Sequence, residues 1–243
     1  MTPALDARVV DVRRDVPYLA VLRIAHDAGP LTFIPGQFVN LGLPAADGTM
    51  VKRPYSVTSA PGDAVAEFAI TRVDGGVLSP RLCALSAGDR VHLEQVGAGS
   101  FTLRDVPPGM PLLLVATGTG TAPLVSQLRA GQCPGRAVTV VHGGRTAGGL
   151  AYRELLAGWP GLTYLPTTTR DPAWTGRTGR VTALLEELGP VPGSVFALVC
   201  GNPGMIAEVR RWLEARGFRK HRKREPGHFL AEPYWGAAVS PSS

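Results

Sequence analysis

The 243-residue chain is long enough for two domains with a core each, and its 44% hydrophobic and 18% charged residues describe a globular protein rather than a disordered one. Three widely spaced cysteines, Cys83, Cys133 and Cys200, supply neither a disulfide framework nor clustered thiolates, so no metal centre is encoded. The formal net charge of +6 is concentrated late, in Arg216-Gly217-Phe218-Arg219-Lys220-His221-Arg222-Lys223-Arg224, without any helix-turn-helix, zinc or RNA-binding signature, which argues against nucleic acid and leaves steering of acidic partners. The first residues carry no basic-then-apolar leader and no window reaches the length of a membrane span, so a cytoplasmic protein is expected.

In chain order, short β-branched or alternating runs cover 8–12, 18–24, 37–43, 52–58, 65–72 and 90–95, with Gly-, Pro- and Asp-rich turns between them. Six strands at this spacing predict a small antiparallel barrel. One segment departs from that pattern. Leu78-Ser79-Pro80-Arg81-Leu82-Cys83-Ala84-Leu85 offers Ser79 as N-cap, Pro80 at the first helical position and apolar residues at helical spacing. A helix here, beside Gly75-Gly76, either presents free N–H groups to a phosphate or simply plugs the barrel.

The fourth run contains Arg53-Pro54-Tyr55-Ser56-Val57-Thr58. It brings together a planar cation suited to a pyrophosphate, a flat ring that can stack and a hydroxyl, the groups a flavin nucleotide needs. An ordinary half-buried strand accounts for the hexapeptide equally well by itself.

Near Val106-Pro107-Pro108-Gly109 the pattern changes to strand–helix alternation, which places a domain boundary at 107/108. Strands are expected at 111–116, 137–142, 162–168 and 195–200. Helices are expected up to about residue 128, then over 150–157, 181–188 and 204–216. The loop Thr117-Gly118-Thr119-Gly120-Thr121-Ala122-Pro123 is small enough for its backbone to approach a pyrophosphate, or else is a tight turn. No acid follows the second of these strands. Gly144-Arg145 stands there instead, Arg170 follows the third strand and Arg180 opens the next helix, a pattern that favours the 2′-phosphate of NADP(H) over NADH.

Taken together, the barrel, the hexapeptide and the nucleotide domain resemble the ferredoxin/flavodoxin–NADP+ reductases, particularly the compact bacterial type. Six landmarks occur in the family's order: Pro35-Gly36-Gln37-Phe38, Arg53-Pro54-Tyr55-Ser56, Leu78-Ser79-Pro80-Arg81-Leu82, the 117–123 loop, Cys200-Gly201-Asn202-Pro203, and Pro226-Gly227-His228 with Ala231-Glu232-Pro233-Tyr234-Trp235. The resemblance implies an FAD-binding β-barrel over 1–107, a doubly wound parallel-sheet NADP domain over 108–235 and a disordered tail over 236–243. FAD would be held by Arg53, Pro54, Tyr55, Ser56, Ala69, Ile70, Thr71, Arg72, Val77, Leu78, Ser79, Thr119, Tyr234 and Trp235. NADP would be held by Gly144, Arg145, Thr169, Arg170, Arg180, Leu198, Val199, Cys200, Gly201 and Asn202. Ser56 and Glu232 would lie nearest the reacting atoms, Cys200 beside the nicotinamide, and Trp235 would be a mobile cover. Ala69 stands where the family has an aromatic, which thins the contacts on that side.

The activity implied is electron exchange between NADPH and ferredoxin or flavodoxin through the flavin, by a monomer. The reductase component of an oxygenase, a free-flavin reductase, or a flavin-binding module without hydride transfer are the competing readings. For Cys200, a buried small hydrophobe is the plain alternative.

Overall fold

The structure, a computed structural model, describes residues 5–233. These form two compact units, one comprising 5–105 with 122–134 and the other 106–121 with 135–233.

The first unit is an antiparallel sheet of six strands: β1 (Ala7–Val16), β2 (Leu19–His26), β3 (Phe38–Pro44), β4 (Met50–Ser56), β5 (Ala66–Thr71) and β6 (Arg90–Leu93), in the order β4-β3-β6-β1-β2-β5. Beyond the end of β4 the chain reaches β5, where the Thr58 N–H donates to the Glu67 carbonyl at 2.9 Å and closes the sheet into a barrel. Alternation fills it. Leu22, Ile24, Leu41, Phe68, Ile70, Val91 and Leu93 point into a common core, as a two-residue period requires.

Helix α1 (Ser79–Ala84) packs Leu82 and Cys83 into this core. Its N-cap is Leu78, with no side-chain cap, and Ser79 lies inside the first turn. The Ser79 hydroxyl instead accepts the Val73 N–H at 3.0 Å, because the glycine turn before the helix leaves that donor unmatched by the ladder. The capping role expected of Ser79 is therefore corrected.

Helix α2 (Ala122–Arg129) belongs to this first unit although it follows the first strand of the second. The Ser126 hydroxyl donates to the Ser59 carbonyl at 2.8 Å, and Arg129 reaches both the Thr58 carbonyl at 3.0 Å and the Glu67 carboxylate at 2.8 Å.

The second unit is a parallel sheet of β7 (Leu112–Thr117), β8 (Val138–Gly144), β9 (Leu162–Thr168), β10 (Arg177–Thr178), β11 (Phe196–Gly201) and β12 (Phe229–Pro233), ordered β10-β9-β8-β7-β11-β12. The central strands are apolar throughout, as burial on both faces demands. With α3 (Arg153–Ala157), α4 (Val181–Leu188) and α5 (Pro203–Ala215) it has the expected α/β character. Among the described residues no helix is long and apolar enough to cross a membrane, and no cluster of side chains could hold a metal ion.

Three elements differ from expectation, among them the two-residue β10, too short to carry a strand signal. Helix α3 begins at Arg153 rather than near 150, since Leu150, Ala151 and Tyr152 are all buried, which a one-sided helix cannot provide, and Tyr152 takes a left-handed backbone with φ 60°. Strand β12 has no counterpart among the expected strands, because five residues containing Glu232 and Pro233 carry little strand signal. It is an edge strand, where proline is tolerated.

Candidate functional site

Strand order reverses between β7 and β11, since the chain leaves β7 for β8 on one side and reaches β11 on the other. In open α/β sheets the crevice at the carboxyl ends of such strands receives ligands. Here, within the second unit, it is formed by residues 117–121 and Cys200-Gly201-Asn202. The Thr117 hydroxyl accepts the Asn202 N–H at 2.9 Å, tying the two strand ends together. A Cβ on Gly120 would fall 2.2 Å from the Cys200 carbonyl oxygen, and one on Gly201 2.3 Å from Thr117 Oγ1. The glycines are thus required by close backbone approach, the condition on which a phosphate-binding turn depends. The Asn202 carboxamide is engaged elsewhere, capping α5 by accepting from the Gly204 and Met205 N–H groups at 2.8 and 3.4 Å.

Beneath the loop lies a chain of hydrogen bonds that sequence reading missed. His142 is wholly buried, and its Nε2 contacts the Gly118 carbonyl at 2.8 Å while its Nδ1 contacts the Tyr164 hydroxyl at 2.9 Å. A carbonyl can only accept, so Nε2 carries the proton and Tyr164 donates to Nδ1. Burial lowers the imidazole pKa to about 4, which keeps it neutral, while burial raises that of the Tyr164 phenol.

Cys200 and Glu232 are partners across the β11–β12 ladder. The thiol is 2% exposed and its pKa is raised by burial and by the Glu232 carboxyl beside it. Burial brings Glu232 up to about 7. At neutral pH the pair therefore comprises a neutral thiol and a carboxyl poised to hold or release a proton. Leu198 and Val199 are fully buried, so they can offer a ligand only backbone atoms.

The exits of β8 and β9 run together. Thr169 N–H donates to the Gly144 carbonyl at 3.1 Å and Arg170 N–H to the Arg145 carbonyl at 2.8 Å, so the two arginines are held on adjoining segments, both exposed. Arg180, the N-cap residue of α4, forms an ion pair with Glu208 on α5. No acid follows β8, as read from the sequence, but Asp171 follows Arg170 after β9, and its Oδ2 accepts the Ala147 N–H at 2.8 Å. That oxygen serves the protein's own backbone. Three exposed guanidiniums around strand ends, with the nearby carboxylate engaged, form a donor set that fits a phosphate-bearing nucleotide.

In the first unit, Arg53 and Pro54 are exposed on β4, Tyr55 packs partly against the barrel core, and Ser56 closes the strand opposite Phe38. One Arg53 nitrogen donates to the Lys52 carbonyl at 2.7 Å. Burial raises the Tyr55 phenol pKa, so the ring is uncharged. A cation with outward donors, a half-sheltered ring and a hydroxyl on one strand fit a flavin nucleotide. Ala69, Ile70 and Leu78 are buried, Ile70 and Leu78 within the barrel core, whereas Val77 is 62% exposed. Thr71 is partly buried, and Arg72 pairs with Asp74 at 3.3 Å. Thr119, in the second unit, is buried. Tyr234 and Trp235, expected to cover the flavin, lie outside the described residues.

Residues 8–101 match the oxidoreductase FAD-binding domain family and residues 114–211 the oxidoreductase NAD-binding domain family. Flavodoxin/ferredoxin–NADP reductases from Shigella flexneri and from Escherichia coli (strain K12) are each 37% identical over 232 residues, which cover 89% of this chain and 93% of theirs. A ferredoxin NADP+ reductase from Neisseria gonorrhoeae, solved with bound FAD and NADP, superposes with a TM-score of 0.86 at 26% identity, covering 94% of this chain and 98% of its own. Barrel, parallel sheet, switch-point loop and near-complete coverage in both directions agree, and the chain belongs to the flavodoxin/ferredoxin–NADP reductase family.

Proposed function

We propose that the protein is an FAD-dependent reductase that exchanges electrons between NADPH and an acidic carrier protein, flavodoxin or ferredoxin. The observation that carries the choice of NADPH is the backbone-linked pair Arg145 and Arg170 at the strand exits, with the neighbouring Asp171 carboxylate engaged by the Ala147 N–H. When bound, FAD would supply the conversion between hydride transfer from NADPH and single-electron transfer, chemistry that belongs to the cofactor. The barrel unit is assigned to FAD and the parallel-sheet unit to NADP.

In this reading Arg53 binds pyrophosphate, Tyr55 orients the flavin ring and Ser56 donates a hydrogen bond to it. Arg145, Arg170 and Arg180 bind the 2′-phosphate, and Arg180 exchanges Glu208 for it. Cys200 provides a neutral, apolar surface for the nicotinamide. Glu232, with a pKa near 7, holds a proton at its carboxyl where solution carboxylates have lost theirs.

The carrier's acidity is inferred from the basic run, which folds as a pinned hairpin. Arg222 and Glu225 exchange backbone hydrogen bonds at 3.0 Å each, while His221 N–H donates to the Phe229 carbonyl and His228 N–H to the Arg219 carbonyl at 2.7 Å each. Arg219, Lys220, Lys223 and Arg224 are all exposed on it. A fixed cluster of like charge steers an oppositely charged protein. The test is NADPH-driven reduction of purified flavodoxin at rising ionic strength, with the wild type and with Lys220→Glu/Lys223→Glu. Rates should fall steeply with salt and with charge reversal. Reduction that ignores both would contradict an acidic carrier docking here, and absence of reduction would contradict the reductase reading.

A further inference from the structure

We propose that Asp171 is a positioning residue that sets nucleotide specificity by fixing the exit of β8 against the exit of β9, an inference that rests on the assignment of Arg145 and Arg170 to the 2′-phosphate. The two strands are in register to Gly144↔Thr168, and there the ladder ends. Past that point two consecutive N–H groups, of Thr169 and Arg170, donate to two consecutive carbonyls, of Gly144 and Arg145, at 3.1 and 2.8 Å. These bonds restrain Arg145 only from its carbonyl side. Beyond it the Thr146 and Ala147 carbonyls accept the Gly149 and Leu150 N–H groups at 3.0 and 3.1 Å, a local turn that leaves the Ala147 N–H to be held from the β9 side.

Asp171 supplies that hold. Its Oδ2 accepts the Ala147 N–H at 2.8 Å and its Oδ1 accepts the Ala173 N–H at 3.1 Å, so one carboxylate grips both loops. Arg145 is thereby bracketed between an anchored carbonyl and an anchored N–H two residues later. Arg170 is bracketed between its own donated bond and the carboxylate of its neighbour. Both guanidiniums then project from fixed backbone. A bidentate site for a phosphate depends on that, since a displacement of about 1 Å is enough to lose most of its advantage.

The alternative role of Asp171 is purely electrostatic: a negative charge beside Arg170 that weakens any anion. The two roles predict opposite signs. Removing a competing charge tightens phosphate binding, whereas removing a positioning acceptor weakens it selectively. Asparagine separates them further, because its carboxamide oxygen can still accept the Ala147 N–H while carrying no charge.

The experiment is calorimetric titration of the flavin-loaded protein with 2′,5′-ADP and with 5′-ADP, for the wild type, Asp171→Ala, Asp171→Asn, Arg145→Ala and Arg170→Ala. Flavin content and thermal midpoint are recorded for each to establish folding. Asp171→Ala should lower the affinity ratio of 2′,5′-ADP to 5′-ADP about tenfold, the scale of a charge-assisted hydrogen bond, while Asp171→Asn keeps most of it. The NADPH-to-NADH ratio of kcat/KM should follow the same order. Tighter 2′,5′-ADP binding in Asp171→Ala, or an unchanged ratio in Asp171→Ala while the arginine variants lose theirs, overturns the positioning role and leaves the arginine assignment standing. A ratio unmoved in Arg145→Ala and Arg170→Ala overturns the arginine assignment and the proposal with it.

Discussion

Cys200 and Glu232 stand opposite each other in the parallel ladder of β11 and β12, a buried thiol beside a carboxyl that burial brings up to about 7. The position of Glu232 has a consequence for stability. A carboxyl whose pKa rises from 4.5 to about 7 on folding keeps its proton when the unfolded chain has lost it, so its contribution is full below pH 4.5 and is lost as pH rises through 7.

His142 works in the opposite sense. Its pKa falls from 6.5 to about 4 on folding, so it contributes stability that is full above pH 6.5 and is lost as pH falls through 4. Between pH 4.5 and 6.5 the two contributions offset. Glu232→Gln removes one of them: its stability by urea titration should gain on the wild type by about 3 kcal/mol between pH 4.5 and 8. Parallel profiles for the two proteins would show that Glu232 ionises as freely as a solution carboxylate.

The same burial makes Cys200 inert. With the thiol 2% exposed and its pKa raised, alkylation at pH 7.5 should occur no faster than the strand opens. Cys83, buried and likewise raised by burial, should behave in the same way, leaving partly exposed Cys133 as the thiol that labels readily. Mass spectrometry after brief labelling reads this directly. Prompt modification of Cys200 would contradict the neutral, enclosed surface assigned to it.

Gly120→Ala should damage nucleotide binding before anything else. Its new Cβ would meet the Cys200 carbonyl oxygen at 2.2 Å, a backbone atom with no flexible side chain to yield. The loop must move, at a cost of about 1–3 kcal/mol, and affinity for 2′,5′-ADP should drop about tenfold or more. A variant that binds 2′,5′-ADP as the wild type does would place the nucleotide away from the switch point.

Glu208 competes with any phosphate for Arg180, to which it is ion-paired. Exposed pairs are weak, on the order of 0.2–1 kcal/mol, so Glu208→Gln should tighten 2′,5′-ADP by about threefold and leave 5′-ADP unchanged. Equal changes for both ligands would mean that Arg180 does not read the 2′-phosphate.

Much of this architecture is legible from pattern. Strand β9 and helix α4 occupy 162–168 and 181–188 as periodicity predicts, since each has a continuous apolar or amphipathic signal bounded by clear breaks. Cys200 and Glu232 could be singled out from the landmarks around them, but their adjacency depends on β12, whose five residues have almost no strand signal. His142, Tyr164 and Asp171 were missed for another reason. A histidine in an apolar run, a tyrosine in the next strand and an acid after an arginine are each ordinary, and only the register of β7, β8 and β9 brings them to Gly118 and Ala147. Ser79 illustrates the converse: its sequence position suits a cap, yet the nearer unmatched donor, Val73 N–H, takes its hydroxyl.

The central claim is tested most directly by an anaerobic titration of the flavin-loaded protein, following flavin absorbance as NADPH is added and, in a parallel sample, NADH. The account predicts rapid bleaching by NADPH and slow bleaching by NADH. A protein that cannot be loaded with FAD, or whose flavin stays oxidised in NADPH, would contradict it.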